Sequence, residues 1–264
     1  MIKKTLIVAN WKMHLNTHES SLLVKRLHDH IKQHRTVEVV LAPSVLVLQP
    51  LSLELDRRVF RLAAQDANAK DEGAYTGEVS FTMLRELVQY AIIGHSERRI
   101  YFAETLETVR DKVQAAVRNG ITPILCVGET HQERVNGETS RVIHDQVTTA
   151  LSNLTPEEIE DVVIAYEPVW AISTFGGEIA KPTDIKKVLD LIRKTIADLY
   201  GDQSAQHVRV LYGGSVSADT APGYLAIDGC DGALVGSASL NYKQFSSIVD
   251  VAYRLSHGEE EIHG

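Results

Sequence analysis

Eight short apolar segments recur along the chain and are separated by stretches of mixed polarity. Most are continuous apolar runs rather than alternating patterns, which is typical of parallel strands buried on both faces. We therefore predict eight β-strands, at residues 5–10, 37–43, 59–65, 90–95, 122–128, 161–168, 208–214 and 232–238.

The segments between these strands have the period of amphipathic helices. The clearest covers residues 185–199 and repeats isoleucine, valine and leucine on one face. Pro182 lies near the start of this helix and Gly201 follows its end. Proline and glycine favour these two positions at helix termini. A second helix is predicted from about 104 to 118, because the Asn-Gly pair at 119–120 is a helix-ending signal.

This alternation predicts an α/β protein with a parallel sheet. The 264 residues divided by eight leave about 33 per unit, a suitable size for a βα repeat. Since no linker or composition break divides the chain, we expect one (β/α)8 barrel domain over residues 1–264, with eight parallel strands and outer helices. Residues 256–264 are expected to form a frayed tail. An open doubly wound sheet remains the alternative, because the pattern alone does not prove closure.

The net charge and the cysteine content limit the classes of function and the cellular compartment that we expect. The formal net charge is −8, which argues against general binding of nucleic acid or of an anionic membrane. The two cysteines, Cys126 and Cys230, fit a reducing compartment. They do not form a disulfide framework, and their spacing is not that of metal ligands. The first apolar stretch is interrupted by Asn10 and Lys12 too early for a signal peptide, so we expect a cytoplasmic protein.

Polar residues and glycines follow five of the predicted strands at their C-terminal ends, where barrel enzymes carry their active sites. They are Asn10, Lys12, His95, Ser96, Glu97, Glu167, Gly213, Gly214, Ser215, Gly236 and Ser237. Each alone has an ordinary explanation, such as a surface lysine, a hydrogen-bonded histidine or a tight turn. Their coincidence on one face favours an active site, with the glycine turns suited to phosphate.

At these residues the chain closely resembles the triosephosphate isomerase family over essentially its whole length. The pair GHSERR (94–99) and YEPVWAI (166–172) is highly specific in this order and spacing. The other matching stretches are ANWKMH (9–14), AYTGEVS (74–80), CVGE (126–129), YGGSV (212–216) and LVGSASL (234–240). The resemblance implies a TIM barrel that interconverts dihydroxyacetone phosphate and D-glyceraldehyde 3-phosphate through an enediolate.

The resemblance also implies roles for individual residues. The family is a standard example of how a protein adjusts the pKa values of its catalytic acid and base. Glu167 would be the base, a neutral His95 would polarise the carbonyl, Lys12 would stabilise negative charge, and Asn10 would donate a hydrogen bond. Phosphate would be held by Ser173, Gly213, Gly214, Ser215, Gly236 and Ser237. Glu97, Ser96 and Cys126 would support the site, and neither a metal nor a cofactor is expected.

The long segment 66–80 would insert into a second subunit through Tyr75 and Thr76, which implies a homodimer. A mobile surface loop is the alternative reading of this segment.

The segment 173–181, the predicted lid, departs from the family pattern of isoleucine, glycine, threonine, glycine and lysine. Ser173 replaces the first glycine, Phe175 replaces the second, and about two residues are added. The added residues raise the entropic cost of closing the loop by only ~0.15 kcal/mol. Because the hinge residues Pro168, Val169 and Trp170 are unchanged, we expect a remodelled but competent lid. Two rivals remain open: a barrel for another sugar phosphate, and a phosphate-binding scaffold without turnover.

Overall fold

The computed structural model describes residues 3–172, 174–175 and 179–258. The rest of the expected tail, 259–264, and part of the predicted lid therefore lie outside the described residues. Within the part described, Ser256 is the last residue of the C-terminal helix.

Eight parallel strands close into a barrel in sequential order, so the predicted (β/α)8 fold is confirmed and the open sheet is wrong. The strands are β1 Thr5–Asn10, β2 Val37–Ala42, β3 Phe60–Ala64, β4 Tyr90–Ile93, β5 Thr122–Val127, β6 Val163–Tyr166, β7 Arg209–Tyr212 and β8 Gly232–Val235. Most end before their predicted limits. In β4, for example, Gly94 has φ +72° and so leaves the extended conformation.

Helices surround the barrel, and short helices occupy several of its loops. The α-helices are α1 Thr17–His30, α2 Val45–Glu54, α3 Phe81–Leu84, α4 Ser96–Tyr101, α5 Leu106–Arg118, α6 His131–Val135, α7 Thr139–Leu151, α8 Pro182–Tyr200, α9 Asp202–His207, α10 Ala221–Leu225 and α11 Tyr242–Ser256. Within the described residues, 3₁₀ turns cover Glu158–Asp161, Val169–Ala171 and Ser237–Leu240. As predicted, α8 begins at Pro182 and is followed by Gly201, which has φ +88°.

Two apolar layers explain why the strands read as continuous runs. Leu6 and Val8 of β1 belong to the cluster inside the barrel, whereas Ile7 and Ala9 belong to the layer between strands and helices. Since successive side chains point to opposite faces, both faces of each strand must be apolar. Among the described residues, no helix has the length and apolar content needed to cross a membrane.

Gly232 makes the closing contact between β8 and β1. A Cβ built there would lie 1.9 Å from the Leu6 carbonyl oxygen, and the φ of Gly232 is +148°. We expect Gly232→Ala to lower the free energy of unfolding by about 3 kcal/mol or more, because backbone cannot yield as a side chain would. Urea unfolding would measure the change. Gly223→Ala in α10 is the control, since nothing lies within 4 Å of its added Cβ; equal losses in both variants would contradict the prediction.

Candidate active site

A cavity of about 650 Å³ opens at the C-terminal ends of the strands. All four residues predicted to be catalytic line it, together with five predicted to bind phosphate. These residues are Asn10, Lys12, His95, Glu167, Gly213, Gly214, Ser215, Gly236 and Ser237. The structure therefore brings together residues that are more than 200 positions apart in sequence.

Glu167 follows β6 directly and is 1% exposed. Its backbone N–H donates to the Val127 carbonyl over 2.7 Å, which extends the pairing of β5 with β6 by one residue. One carboxylate oxygen lies 3.0 Å from Nε2 of His95, and the other accepts the Ser96 N–H over 3.1 Å. A carboxylate is thus buried against a histidine and a backbone donor.

Burial is the largest single influence on the pKa of Glu167 and acts to raise it. His95, the Arg99 charge and the Ser96 N–H act in the other direction and together bring the Glu167 pKa below its ordinary value. Glu167 is therefore a carboxylate at neutral pH, as a general base must be.

His95 caps the start of α4, and its hydrogen bonds fix which nitrogen carries the proton. Nδ1 accepts the backbone N–H of Glu97 over 3.2 Å, so Nδ1 bears no hydrogen. The hydrogen of the neutral ring is then on Nε2, the nitrogen that faces Glu167 and the cavity. This tautomer presents an N–H donor to whatever occupies the cavity.

Lys12 is the only lysine or arginine among the described residues that line the cavity. Its Nζ lies 2.5 Å from a carboxylate oxygen of Glu97. Its backbone has φ +53°, which costs a non-glycine residue about 1–2 kcal/mol. Gln65 holds this conformation, because its Nε2 donates to the Lys12 carbonyl over 2.7 Å. Strained backbone conformations that are held in place in this way are common at functional sites.

Asn10 lines the cavity, whereas Cys126 is buried in the barrel interior near the carboxylate. Asn10 is buried, and its Oδ1 accepts the N–H of Lys12 over 3.0 Å. Cys126 lies near the end of β5 and points into the barrel. Burial first, and the Glu167 charge second, raise the pKa of the Cys126 thiol well above its usual range, so Cys126 is an uncharged neighbour of the carboxylate.

The glycine turns after β7 and β8 form the wall between Glu167 and Lys12, since β7 pairs with β6 and β8 pairs with β1. Gly236 lies against the Lys12 side chain, because a Cβ added to this glycine would be 3.6 Å from Cε of the lysine. Ser237 begins a 3₁₀ turn, and such a turn start is suited to an anion. Gly213 differs from expectation: its N–H donates to the Tyr166 carbonyl over 2.7 Å, so this N–H is already used. A Cβ on Gly213 would lie 2.9 Å from Cγ of Glu167.

Glu129 is a fully buried carboxylate that the sequence prediction left without a role. It accepts hydrogen bonds from the Tyr166 hydroxyl over 3.2 Å and from Trp170 Nε1 over 2.9 Å. Burial, the largest influence, raises the pKa of Glu129. The guanidinium of Arg134 stacks 3.9 Å from the Trp170 ring. The position of Glu129 shortly after a strand was a signal that could have identified it.

The predicted lid is only partly described. Ser173 lies outside the described residues, as does the segment 176–178. Phe175 is half-buried, and its ring lies 5.8 Å from that of Tyr101 at the end of α4. The lid phenylalanine therefore contacts the helix that His95 caps.

Tyr75 and Thr76 are exposed and do not line the cavity of their own chain. The segment that carries them is anchored at its base, where Asp66 accepts a hydrogen bond from Lys112 Nζ over 2.7 Å. A contact with a second subunit would therefore use the exposed part of a well-anchored loop.

The fold and the site define a (β/α)8 barrel enzyme of the acid–base type, with one lysine and a glycine-rich wall for an anionic ligand. A family model described as "Triosephosphate isomerase" matches residues 5–252. The triosephosphate isomerase of Clostridium tetani is 44% identical over 250 residues, covering 94% of this chain and 97% of that protein. Those of Carboxydothermus hydrogenoformans and Dictyoglomus thermophilum are each 43% identical over 249 residues, covering 94% of this chain and 98% and 99% of their own lengths. The chain belongs to the triosephosphate isomerase family.

Proposed function

We propose that this chain interconverts dihydroxyacetone phosphate and D-glyceraldehyde 3-phosphate, a step of glycolysis and gluconeogenesis. The observation that carries the assignment of roles is the buried Glu167 carboxylate 3.0 Å from His95 Nε2. A base beside a hydrogen-bond donor fits the enolisation of a ketone, in which the base removes a proton from carbon and the donor polarises the neighbouring carbonyl.

The proposed reaction consists of proton transfers between neighbouring atoms. Glu167 removes a proton from C1 of dihydroxyacetone phosphate while the Nε2–H of His95 polarises the carbonyl at C2. The electron pair of the broken C–H bond forms the C1–C2 double bond of an enediolate. His95 moves the proton between the two oxygens, and Glu167 returns its proton to C2. Because the Glu97 N–H holds Nδ1 of His95, the Glu167 side chain must move away from Nε2 so that the Nε2–H can donate to the substrate oxygen.

The phosphate end of the substrate would lie against the wall formed by Gly214, Ser215, Gly236 and Ser237. Backbone N–H groups at a turn start suit a dianion, and the Lys12 ammonium adds a full charge beside Gly236. Lys12 would also stabilise the developing enediolate. Ser173 would add the lid contact that the family makes through a backbone N–H.

Turnover of glyceraldehyde 3-phosphate tests the assignment, with methylglyoxal followed in the same samples. Fast isomerisation with little methylglyoxal is expected, because a competent lid excludes water from the enediolate phosphate. High methylglyoxal would mean that the remodelled lid closes poorly. Binding of a phosphate-bearing enediolate mimic distinguishes an enzyme from a phosphate-binding scaffold without turnover. Only an enzyme should bind the mimic far more tightly than the substrate. Turnover of other sugar phosphates would favour the alternative of a barrel enzyme that acts on another sugar phosphate.

We also propose that the protein is a homodimer. Large apolar side chains are exposed on the segments that follow β1, β2, β3 and β4, which are neighbours around the barrel. They are Met13, Val45, Leu46, Met83, Tyr101 and Phe102. An exposed apolar surface of this kind is typical of a protein interface, and the segment with Tyr75 and Thr76 follows β3, within the same set. Sedimentation velocity should give the mass of two chains; a monomer at micromolar concentration would contradict the proposal.

A further inference from the structure

Gly128, directly after β5, lies in close backbone contact with Glu167. A Cβ at position 128 would be 1.8 Å from the Glu167 carbonyl oxygen and 2.6 Å from its carbonyl carbon. The preceding residue, Val127, accepts the Glu167 N–H over 2.7 Å. The backbone of the proposed base therefore rests on the 127–128 peptide, and a displacement of this peptide must displace Glu167.

Gln146 holds this glycine by both of its backbone polar groups. The Gly128 N–H donates to Oε1 of Gln146 over 2.7 Å, and Nε2 of Gln146 donates to the Gly128 carbonyl over 3.1 Å. Gln146 belongs to α7, whose buried face is otherwise apolar, with Ile143, Val147 and Ala150 among its residues. A paired contact of this kind fixes the orientation of the backbone as well as its position, as a bidentate interaction does.

The Gly128 carbonyl also connects to the helix that His95 caps. Arg99 of α4 donates to it through Nη1 over 3.3 Å. The same helix begins at Ser96, whose N–H donates to the Glu167 carboxylate. Gly128 is thus the meeting point of α7, α4 and the backbone of Glu167.

We propose that Gln146 is a positioning residue for the reaction, acting through Gly128 to fix Glu167 relative to His95. The inference rests on the proposed isomerase function. Proton transfer to carbon depends on distance and alignment, and a misplacement of about 1 Å can cost about 10²-fold in rate. A side chain outside the cavity therefore sets the position of the base inside it.

The test compares Gln146→Met with Val147→Ala. Methionine has a length similar to that of glutamine but neither donates nor accepts as an amide, whereas Val147→Ala removes fully buried carbon from the next position of the same helix. We expect Gln146→Met to lower kcat by about 10- to 100-fold. The KM and the inhibition constant of inorganic phosphate should not change, since the glycine wall is untouched. Val147→Ala should lower Tm and leave kcat close to that of the wild type.

The amide proton shift of Ser96, measured by NMR, is a second readout that does not depend on turnover. In the wild type this N–H donates to the Glu167 carboxylate, and we expect its resonance to move upfield in Gln146→Met but not in Val147→Ala. An unchanged Ser96 shift with kcat within about twofold of wild type would overturn the inference. Parallel changes in kcat and in phosphate inhibition would also overturn it, because they indicate a general structural loss. An inactive wild type would overturn the proposed function instead, and the Ser96 shift would still decide the role of Gln146.

Discussion

Glu167→Gln is expected to lower kcat by about 10²- to 10⁴-fold, the usual contribution of a general base. The amide is nearly the same size and can still accept the Ser96 N–H, which spans 3.1 Å in the structure, so the cavity should keep its shape. It cannot take a proton from carbon. The KM should therefore change little while kcat falls. Steady-state kinetics in both directions would measure the effect.

Glu157→Gln, an exposed carboxylate elsewhere on the surface, is the control for a change of charge and should leave kcat unaffected. Retention of more than about a tenth of wild-type kcat in Glu167→Gln would show that another group removes the proton.

The pH dependence of stability gives an independent check on the same residue. Burial raises the pKa of Glu167, but His95, Arg99 and the Ser96 N–H together outweigh it, so the folded pKa is below the unfolded value. The ionised carboxylate therefore contributes stability above the unfolded pKa, and this contribution is lost as pH falls through the folded pKa. The difference in unfolding free energy between wild type and Glu167→Gln should shrink as the solution is acidified. A difference that grows at low pH would mean that burial dominates.

The strand pattern predicted most of the fold because both faces of these strands are buried. Ile7 and Val8 face different apolar layers, so an uninterrupted apolar run is the necessary sequence signature. Strand ends were less predictable, because they depend on single backbone angles such as the φ of +72° at Gly94. Closure itself depends on the close approach of Gly232 to Leu6, which no local pattern records.

The site was predicted where chemistry and position agreed, at polar residues after strands. His95 and Glu167 were accessible to this reasoning, because each follows a strand at the same end of the barrel, and the structure places them 3.0 Å apart. Gln146 was not, because a single glutamine on the apolar face of a helix does not indicate which group it contacts. Its importance comes from pairing with Gly128, 18 positions earlier. Contacts made through backbone groups leave little trace in side-chain patterns.

Lys12→Met is expected to lower kcat/KM by roughly 10³-fold or more, because it removes a full charge where one lost donor already costs about 10²–10³-fold. The chain has a net charge of −8, and Lys12 is the only lysine or arginine among the described cavity residues. Its loss also leaves the Glu97 carboxylate, now 2.5 Å from Nζ, without its partner beside a dianionic substrate. Both consequences weaken binding of the phosphate and stabilisation of the enediolate.

Two further variants separate the charge of Lys12 from its other roles. Lys12→Arg keeps the positive charge and should retain more kcat/KM than Lys12→Met, although its planar head group will not match the ammonium position. Adding Glu97→Gln to Lys12→Met removes the unpaired carboxylate and should recover part of the affinity for inorganic phosphate, measured as competitive inhibition. If the double variant binds phosphate no better than Lys12→Met, repulsion by Glu97 is not part of the loss. If Lys12→Met keeps wild-type kcat/KM, the ammonium is not the group that receives the negative charge, and the glycine wall must bind the phosphate without it.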